Sequence, residues 1–373
     1  MKDNLPIVTV EEFSQIIKQQ LNENNYRPIF GLGKGGIGKT ESIAHLAKEE
    51  LKIGYIDMRL LLYTETDLKG IPYPNEEHTK TIWLQNNILP NASIHGEKGI
   101  LVLDEITSCS RSVRTAAYQL LNERRLGEYI LPDNWLIVCL GNGEEDGGDY
   151  EGMEGNFANR CSVFKVVHNV ETWKSWAYNN NVNPLVIGYI SFKSSDLHSY
   201  NNDNETDILF ASPRSWKAVS DILNLNPYDA NNRLLLARIA GNIGPAVADQ
   251  FNAFCKYKNN DIDTDAILNG TKFPVIESNE IAIITIQNLI NIVGNEIKAD
   301  LSLGNEISSN TVTRFCNVIK WMVGLKTEFA VMGIKDLIAF DRVNIAKLLM
   351  NAQIHRICPE LLQFTKTNKG IFM

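Results

Sequence analysis

Residues 33–40 read Gly-Lys-Gly-Gly-Ile-Gly-Lys-Thr, and this octet restricts the architecture more than any other stretch of the chain. It fits the pattern G-x-x-x-x-G-K-[ST]. With Gly33, Gly35, Gly36 and Gly38 set around Lys34 and Ile37, several backbone N–H groups can turn toward one point and cradle phosphate oxygens. Lys39 would then reach the β- and γ-phosphates, and the Thr40 hydroxyl would hold Mg²⁺. Arg27-Pro28-Ile29-Phe30 ahead of the octet reads as a short apolar strand, and 41–51 behind it as a helix. Strand, glycine loop and helix in that order favour a phosphate cradle over a glycine-rich turn with an incidental lysine.

At 373 residues the chain has room for two domains, or one large domain with an appendage. Hydrophobic content of 44% and charged content of 21% suit a soluble globular protein. The start, Met1-Lys2-Asp3-Asn4, lacks the layout of a signal peptide. No apolar run is long enough to span a membrane, so a cytoplasmic protein is expected. Six scattered cysteines without C-x-x-C suit free thiols, and the dispersed histidines argue against zinc. Lys+Arg 36 against Asp+Glu 44 gives −8, which disfavours extensive non-specific nucleic-acid binding without excluding a local basic patch.

From Pro28 to Val167 short apolar strands alternate with helices. The further strands are expected at 53–58, 100–103, 135–140 and 162–167, with a helix at 113–122. That alternation predicts an α/β fold with a parallel sheet covered by helices. Thr9-Val10-Glu11-Glu12 is a capping box opening a helix to about Gln20. Residues 64–90 interrupt the alternation and read as an inserted hairpin, whereas the acidic, glycine-rich 141–155 reads as a solvated loop. After Asn- and Asp-rich stretches at 179–183 and 200–207 the chain turns helical. Ser212-Pro213 is an N-cap with proline at the first helical position. Helices are expected at 213–223, 232–239, 246–257, 281–297 and 311–325. In the last of these Val312, Phe315, Val318, Ile319 and Met322 recur at helical spacing, as a core stripe does.

The remaining chemistry sits at strand ends. Ile100-Leu101-Val102-Leu103 runs into Asp104 and Glu105. Asp104 is placed to coordinate Mg²⁺ at the sheet's C-terminal edge, and Glu105 to orient and deprotonate an attacking water. The strand at 135–140 ends in Gly141-Asn142, where an amide could contact both the γ-phosphate and that water; a plain turn residue is the alternative. Arg160, ahead of the strand at Ser162, is the candidate arginine finger offered to a neighbouring subunit, with Arg111, Arg114, Arg124 and Arg125 as rivals. Arg214, at the start of the helix after Ser212, could reach the same phosphates in cis. No Asn-Lys-x-Asp segment is present to read guanine, so ATP is the expected nucleotide.

These elements in this order resemble the AAA+ superfamily, and most closely its MoxR-like branch. The octet at 33–40, Leu103-Asp104-Glu105-Ile106, Gly141-Asn142, Asn159-Arg160 and Ser212-Pro213-Arg214 carry the resemblance, over about residues 25–255. Thr66-Asp67-Leu68-Lys69-Gly70 resembles the start of that branch's helical insert, and 121–135 the hairpin before its sensor strand. Cys161 departs from the bulky hydrophobic residue that commonly follows the finger arginine there. The resemblance implies a P-loop NTPase core over 25–175 after an N-terminal helix (1–24), a helical lid (176–258) and a helical C-terminal region (259–373). It also implies a ring, usually a hexamer, that uses ATP and Mg²⁺ to remodel a protein client. In that branch the partner often carries a von Willebrand A-type domain. Two other readings stand beside it. The octet also matches K-G-G-x-G-K-T of ParA/MinD-like dimeric positioning ATPases, with Lys34 as signature lysine, although Glu105, Asn142 and Arg160 fit that family poorly. The other is a nucleic-acid motor of the AAA+ superfamily, which the acidic balance does not favour.

Overall fold

The computed structural model describes residues 5–84, 87–143, 159–200, 209–259, 262–302 and 306–368. The chain forms two compact units, one running through Asn169 and the other taking up at Val170.

The first unit starts with β1 (Ile7–Thr9), α1 (Val10–Asn22), β2 (Ile29–Leu32), α2 (Lys39–His45) and β3 (Gly54–Arg59). An insert follows, made of α3 (Glu65–Lys69), β4 (Ile71–Pro74), β5 (Thr81–Leu84) and α4 (Ala92–His95). The unit is completed by β6 (Lys98–Asp104), α5 (Arg111–Glu123), β7 (Arg125–Leu126), β8 (Tyr129–Ile130), β9 (Asn134–Gly141) and β10 (Ser162–Val167). The six main strands lie in the order β1-β10-β2-β9-β6-β3, and every pairing among them is parallel.

Side-chain alternation explains why helices cover both faces. Ile100 and Val102 of β6 point into a core shared with Phe13 and Ile17 of α1 and Ile43 of α2. Leu101 and Leu103 point the other way, against Val113, Ala117 and Leu120 of α5. A strand buried on both faces must be apolar at every position, which is why residues 100–103 form an unbroken hydrophobic run.

One lateral row fixes the lower edge of this sheet. Gly54, Gly99 and Trp135 are neighbours across β3, β6 and β9. The Trp135 indole lies over both glycines: a Cβ on either would stand 2.6 Å from its Cζ2. Trp135 Nε1 donates to the Gly96 carbonyl at 3.0 Å.

Local signals set the boundaries. The Thr9 hydroxyl accepts from Glu12 N and the Glu12 carboxylate from Thr9 N, so the capping box starts α1 as expected. The helix expected over 41–51 begins at Lys39, is α-helical only to His45, and continues in wide π turns over Leu46–Leu51. Ile53 N reaches back to the Ala47 carbonyl, and Lys52 is left-handed, closing the widened turn. The insert contains the expected hairpin, β4–β5, preceded by the short capped α3, which the sequence reading did not separate. The hairpin β7–β8 falls within 121–135.

The second unit is helical. Its elements include Val170–Asn179, Pro184–Phe192, Pro213–Leu225, Arg233–Ile243, Pro245–Cys255, Asn279–Ser302, Ser309–Val323 and Thr327–Phe340. The Ser212 cap and Pro213 open their helix as expected. Helices expected at 232–239 and 281–297 run several residues further. A single apolar core extends from Trp173 to Phe364. Inside it lies a polar knot: Lys174 Nζ meets Asp336 Oδ1 at 2.6 Å, Gln287 Nε2 donates to Asp336 Oδ2 at 2.6 Å, and Tyr178 Oη to Gln287 Oε1 at 2.6 Å. Burial opposes charge on Lys174, but Asp336 and Glu171 beside it together outweigh that and hold the ammonium in its charged form. All six cysteines are buried free thiols. No helix among the described residues is long and apolar enough to cross a membrane.

Candidate nucleotide site

The chain leaves β2 toward β3 on one side and returns through β6 and β9, before β10 takes the other flank of β2. The order therefore reverses at β2, and in open α/β sheets ligands settle beyond the strand C-termini at such a reversal. The glycine octet begins there, directly after Leu32.

Two glycines of the octet, Gly36 (φ 76) and Gly38 (φ 92), occupy left-handed backbone that side chains avoid. Gly33 is needed for another reason: a Cβ on it would lie 2.1 Å from the Val166 carbonyl oxygen of β10. Gly33 N also donates to the Gly141 carbonyl at 3.1 Å, tying the loop to the end of β9. Lys39, only 7% exposed, folds back so that Nζ donates to the Gly33 and Lys34 carbonyls at 2.6 and 2.7 Å. Ile37 packs into the core beneath the loop.

The sequence placed Thr40 and Asp104 together, and the fold brings them into contact. Thr40 Oγ1 donates to Asp104 Oδ2 at 2.8 Å across 64 residues of chain. Two hard oxygen donors at the mouth of a phosphate loop suit Mg²⁺, which takes few protein ligands and completes its shell with water and phosphate.

Glu105 stands next to them in an unusual backbone state. Its φ is 57, the left-handed region, and its N–H donates to Asp104 Oδ1 at 2.8 Å. A non-glycine residue held there stores strain of about 1–3 kcal/mol, a cost found where a side chain must be aimed. Asn142 lies across the loop from Gly35, with its Nδ2 4.0 Å from where a Gly35 Cβ would be. Asn142 N donates to Thr107 Oγ1 at 3.2 Å.

The arginines separate by their commitments. Arg114 donates to the Thr107 and Cys109 carbonyls, Arg124 to those of Pro132, Asp133 and Trp135, and Arg125 to that of Gly127. Arg111 is exposed at the start of α5. Arg160 is exposed in the turn ahead of β10. Arg27 secures that turn by donating to the Asn159 and Cys161 carbonyls at 2.7 and 3.4 Å. Arg214 belongs to the second unit, exposed in the first turn of Pro213–Leu225. The acidic loop read at 141–155 lies, beyond Gly143, outside the described residues.

Sequence reasoning missed three features. Asp57 of β3 shares a sheet face with Asp104; partial desolvation and that neighbouring carboxylate raise its pKa. Lys165, Val167 and His168 join Gly33, Lys34 and Ile37 around a cleft of about 300 Å³ beside the phosphate loop. Burial, then the Lys34 ammonium, push the His168 imidazole below its usual range. Thr107 is the third. None belongs to a spaced motif, so only the fold brings them to the site.

Residues 28–148 match the family described as AAA domain (dynein-related subfamily). The likeness is to this stretch, which holds the glycine octet, Asp104, Glu105 and Asn142. The match covers less than half of the chain's length. No curated protein matches it. Solved structures with a distant likeness include Hsp104 with ATPγS and FITC casein, at 15% identity and TM-score 0.38, covering 66% of this chain and 46% of that one. The Thermotoga maritima RuvB Holliday junction branch migration motor aligns at 14% identity and TM-score 0.36, over 80% of this chain and 95% of that one. NtrX from Brucella abortus in complex with ATP aligns at 12% and 0.32, over 82% and 67%. The chain thus spans under half of the Hsp104 chain, and likeness this distant says nothing of activity or partner.

Proposed function

We propose that the AAA domain hydrolyses ATP with Mg²⁺ as part of a ring of about six subunits, and that the ring remodels a protein client in the manner of the MoxR-like branch. The contact between Thr40 and Asp104, with Glu105 N bonded to Asp104 and Asn142 N to Thr107, supports this reading most directly. Bound at Thr40 and Asp104, Mg²⁺ would supply charge neutralisation on the β- and γ-phosphates. The octet's backbone N–H groups hold the phosphates, and Lys39 exchanges the Gly33 and Lys34 carbonyls for phosphate oxygens. Glu105 accepts the proton of the attacking water, and Asn142 orients that water against the γ-phosphate. The cleft at Lys165–His168 suits the nucleoside end of the same ligand. Arg160 of an adjacent subunit completes the site.

The test is the solution mass of Glu105→Gln with and without Mg-ATP, by light scattering after size exclusion, beside steady-state turnover of the wild type. The expected outcome is ATP-dependent assembly into a ring, with turnover lost in the variant and binding kept. An ATP-dependent dimer would favour the ParA/MinD-like reading and Lys34.

A further inference from the structure

We infer that Thr107 is a positioning residue of the hydrolytic site, setting the distance between the Glu105 carboxylate and the Asn142 amide. The inference rests on the ATPase reading above and adds a residue to it.

Thr107 is 2% exposed, a polar side chain sunk beneath the site. It lies two residues beyond Glu105 in a tightly closed turn. Ser108 N donates to the Glu105 carbonyl at 3.0 Å, and Cys109 Sγ to that of Ile106 at 3.3 Å. Arg114 fastens the far side of the turn through the Thr107 and Cys109 carbonyls. The left-handed Glu105 is thus held from behind by the segment that carries Thr107.

The same segment grips the tip of β9. Ile106 N donates to the Leu140 carbonyl at 3.1 Å, and Thr107 Oγ1 accepts the N–H of Asn142 at 3.2 Å. The Thr107 methyl lies against Gly141, where a Cβ would come within 2.6 Å of Cγ2. Gly141 in turn accepts Gly33 N, at the entry to the phosphate loop. One side chain therefore links the turn that aims Glu105 to the strand end that presents Asn142. The two groups must address the same water, so an error of about 1 Å between them costs rate rather than nucleotide affinity.

Thr107→Val keeps the shape and removes the acceptor, whereas Thr107→Ser keeps the acceptor and removes the methyl. The expected result is a kcat about tenfold lower in Thr107→Val with KM for ATP within about twofold of wild type, and kcat within about threefold in Thr107→Ser. In an Asn142→Ala background Thr107→Val should add less than about twofold, because the two act as one unit. Should Thr107→Val not fold, as read by its melting temperature, Thr107→Ala, which removes acceptor and methyl together, is read against Thr107→Ser, which removes the methyl alone, and the same drop in kcat is expected between them. Wild-type turnover with an unchanged kcat in the acceptor-less variant, or losses that simply add in the double variant, overturns the proposal alone. A wild type that binds ATP without hydrolysing it overturns the proposal together with the hydrolase reading.

Discussion

At the scale of single residues, the octet was legible because its chemistry is local. Four glycines, a lysine and a threonine at fixed spacing need no distant partner to be read. Gly33 adds what only the fold reveals, since its close neighbour, the Val166 carbonyl, comes from the far end of the unit. Gly33→Ala should push the loop off β10 and weaken ATP binding by about tenfold or more, at a stability cost of about 1–3 kcal/mol. Calorimetric titration beside a thermal melt separates the two effects. His168 lay outside any motif for a similar reason. Its folded-state pKa is depressed below the unfolded value of 6.5, so its contribution is complete above that value and is lost as pH falls through the folded one. His168→Gln should flatten the loss of melting temperature between about pH 7 and about pH 5. An unchanged acid limb would mean that other groups govern it.

At the scale of elements, strands were read more truly than helix ends. The strand cores at 100–103 and 135–140 stand out because burial on both faces leaves no polar position in them. The switch from α to π turns after His45 carries no such mark. It depends on how Lys52 and Ile53 close the connection to β3. The polar knot in the helical unit was equally invisible, because Lys174, Gln287 and Asp336 lie on three separate helices and each looks like an ordinary surface residue in sequence. Removing one member strands a buried charge. Lys174→Met should therefore cost about 3–5 kcal/mol by denaturant unfolding. Adding Asp336→Leu should recover much of that loss. A single variant as stable as wild type would show that the pair contributes little.

At the scale of the whole molecule, the α/β class followed from the alternation of strands and helices, whereas the purpose of the second unit did not. Its helices announce a core through their apolar stripes, and a core stripe is silent about what the outer surface meets. The proposed oligomeric action rests on one turn, that of the exposed Arg160, which Arg27 steadies. Arg160→Ala should leave ATP affinity near wild type and lower turnover by about 10³-fold or more. Full turnover in that variant would move the finger role elsewhere, with exposed Arg111 the next to test. The row of Gly54, Gly99 and Trp135 bears on how the molecule is born. Strand β3 leaves the ribosome well before the indole that seals its edge of the sheet, and at 5–20 residues per second the wait from Arg59 to Trp135 is roughly 4–15 seconds. Translation-arrested chains should show β3 open to protease until Trp135 has cleared the exit tunnel. A nascent edge strand that waits for β6 as its partner, and longer still for the indole that seals the pair, is a point where synthesis, rather than stability, leaves this fold open to going astray.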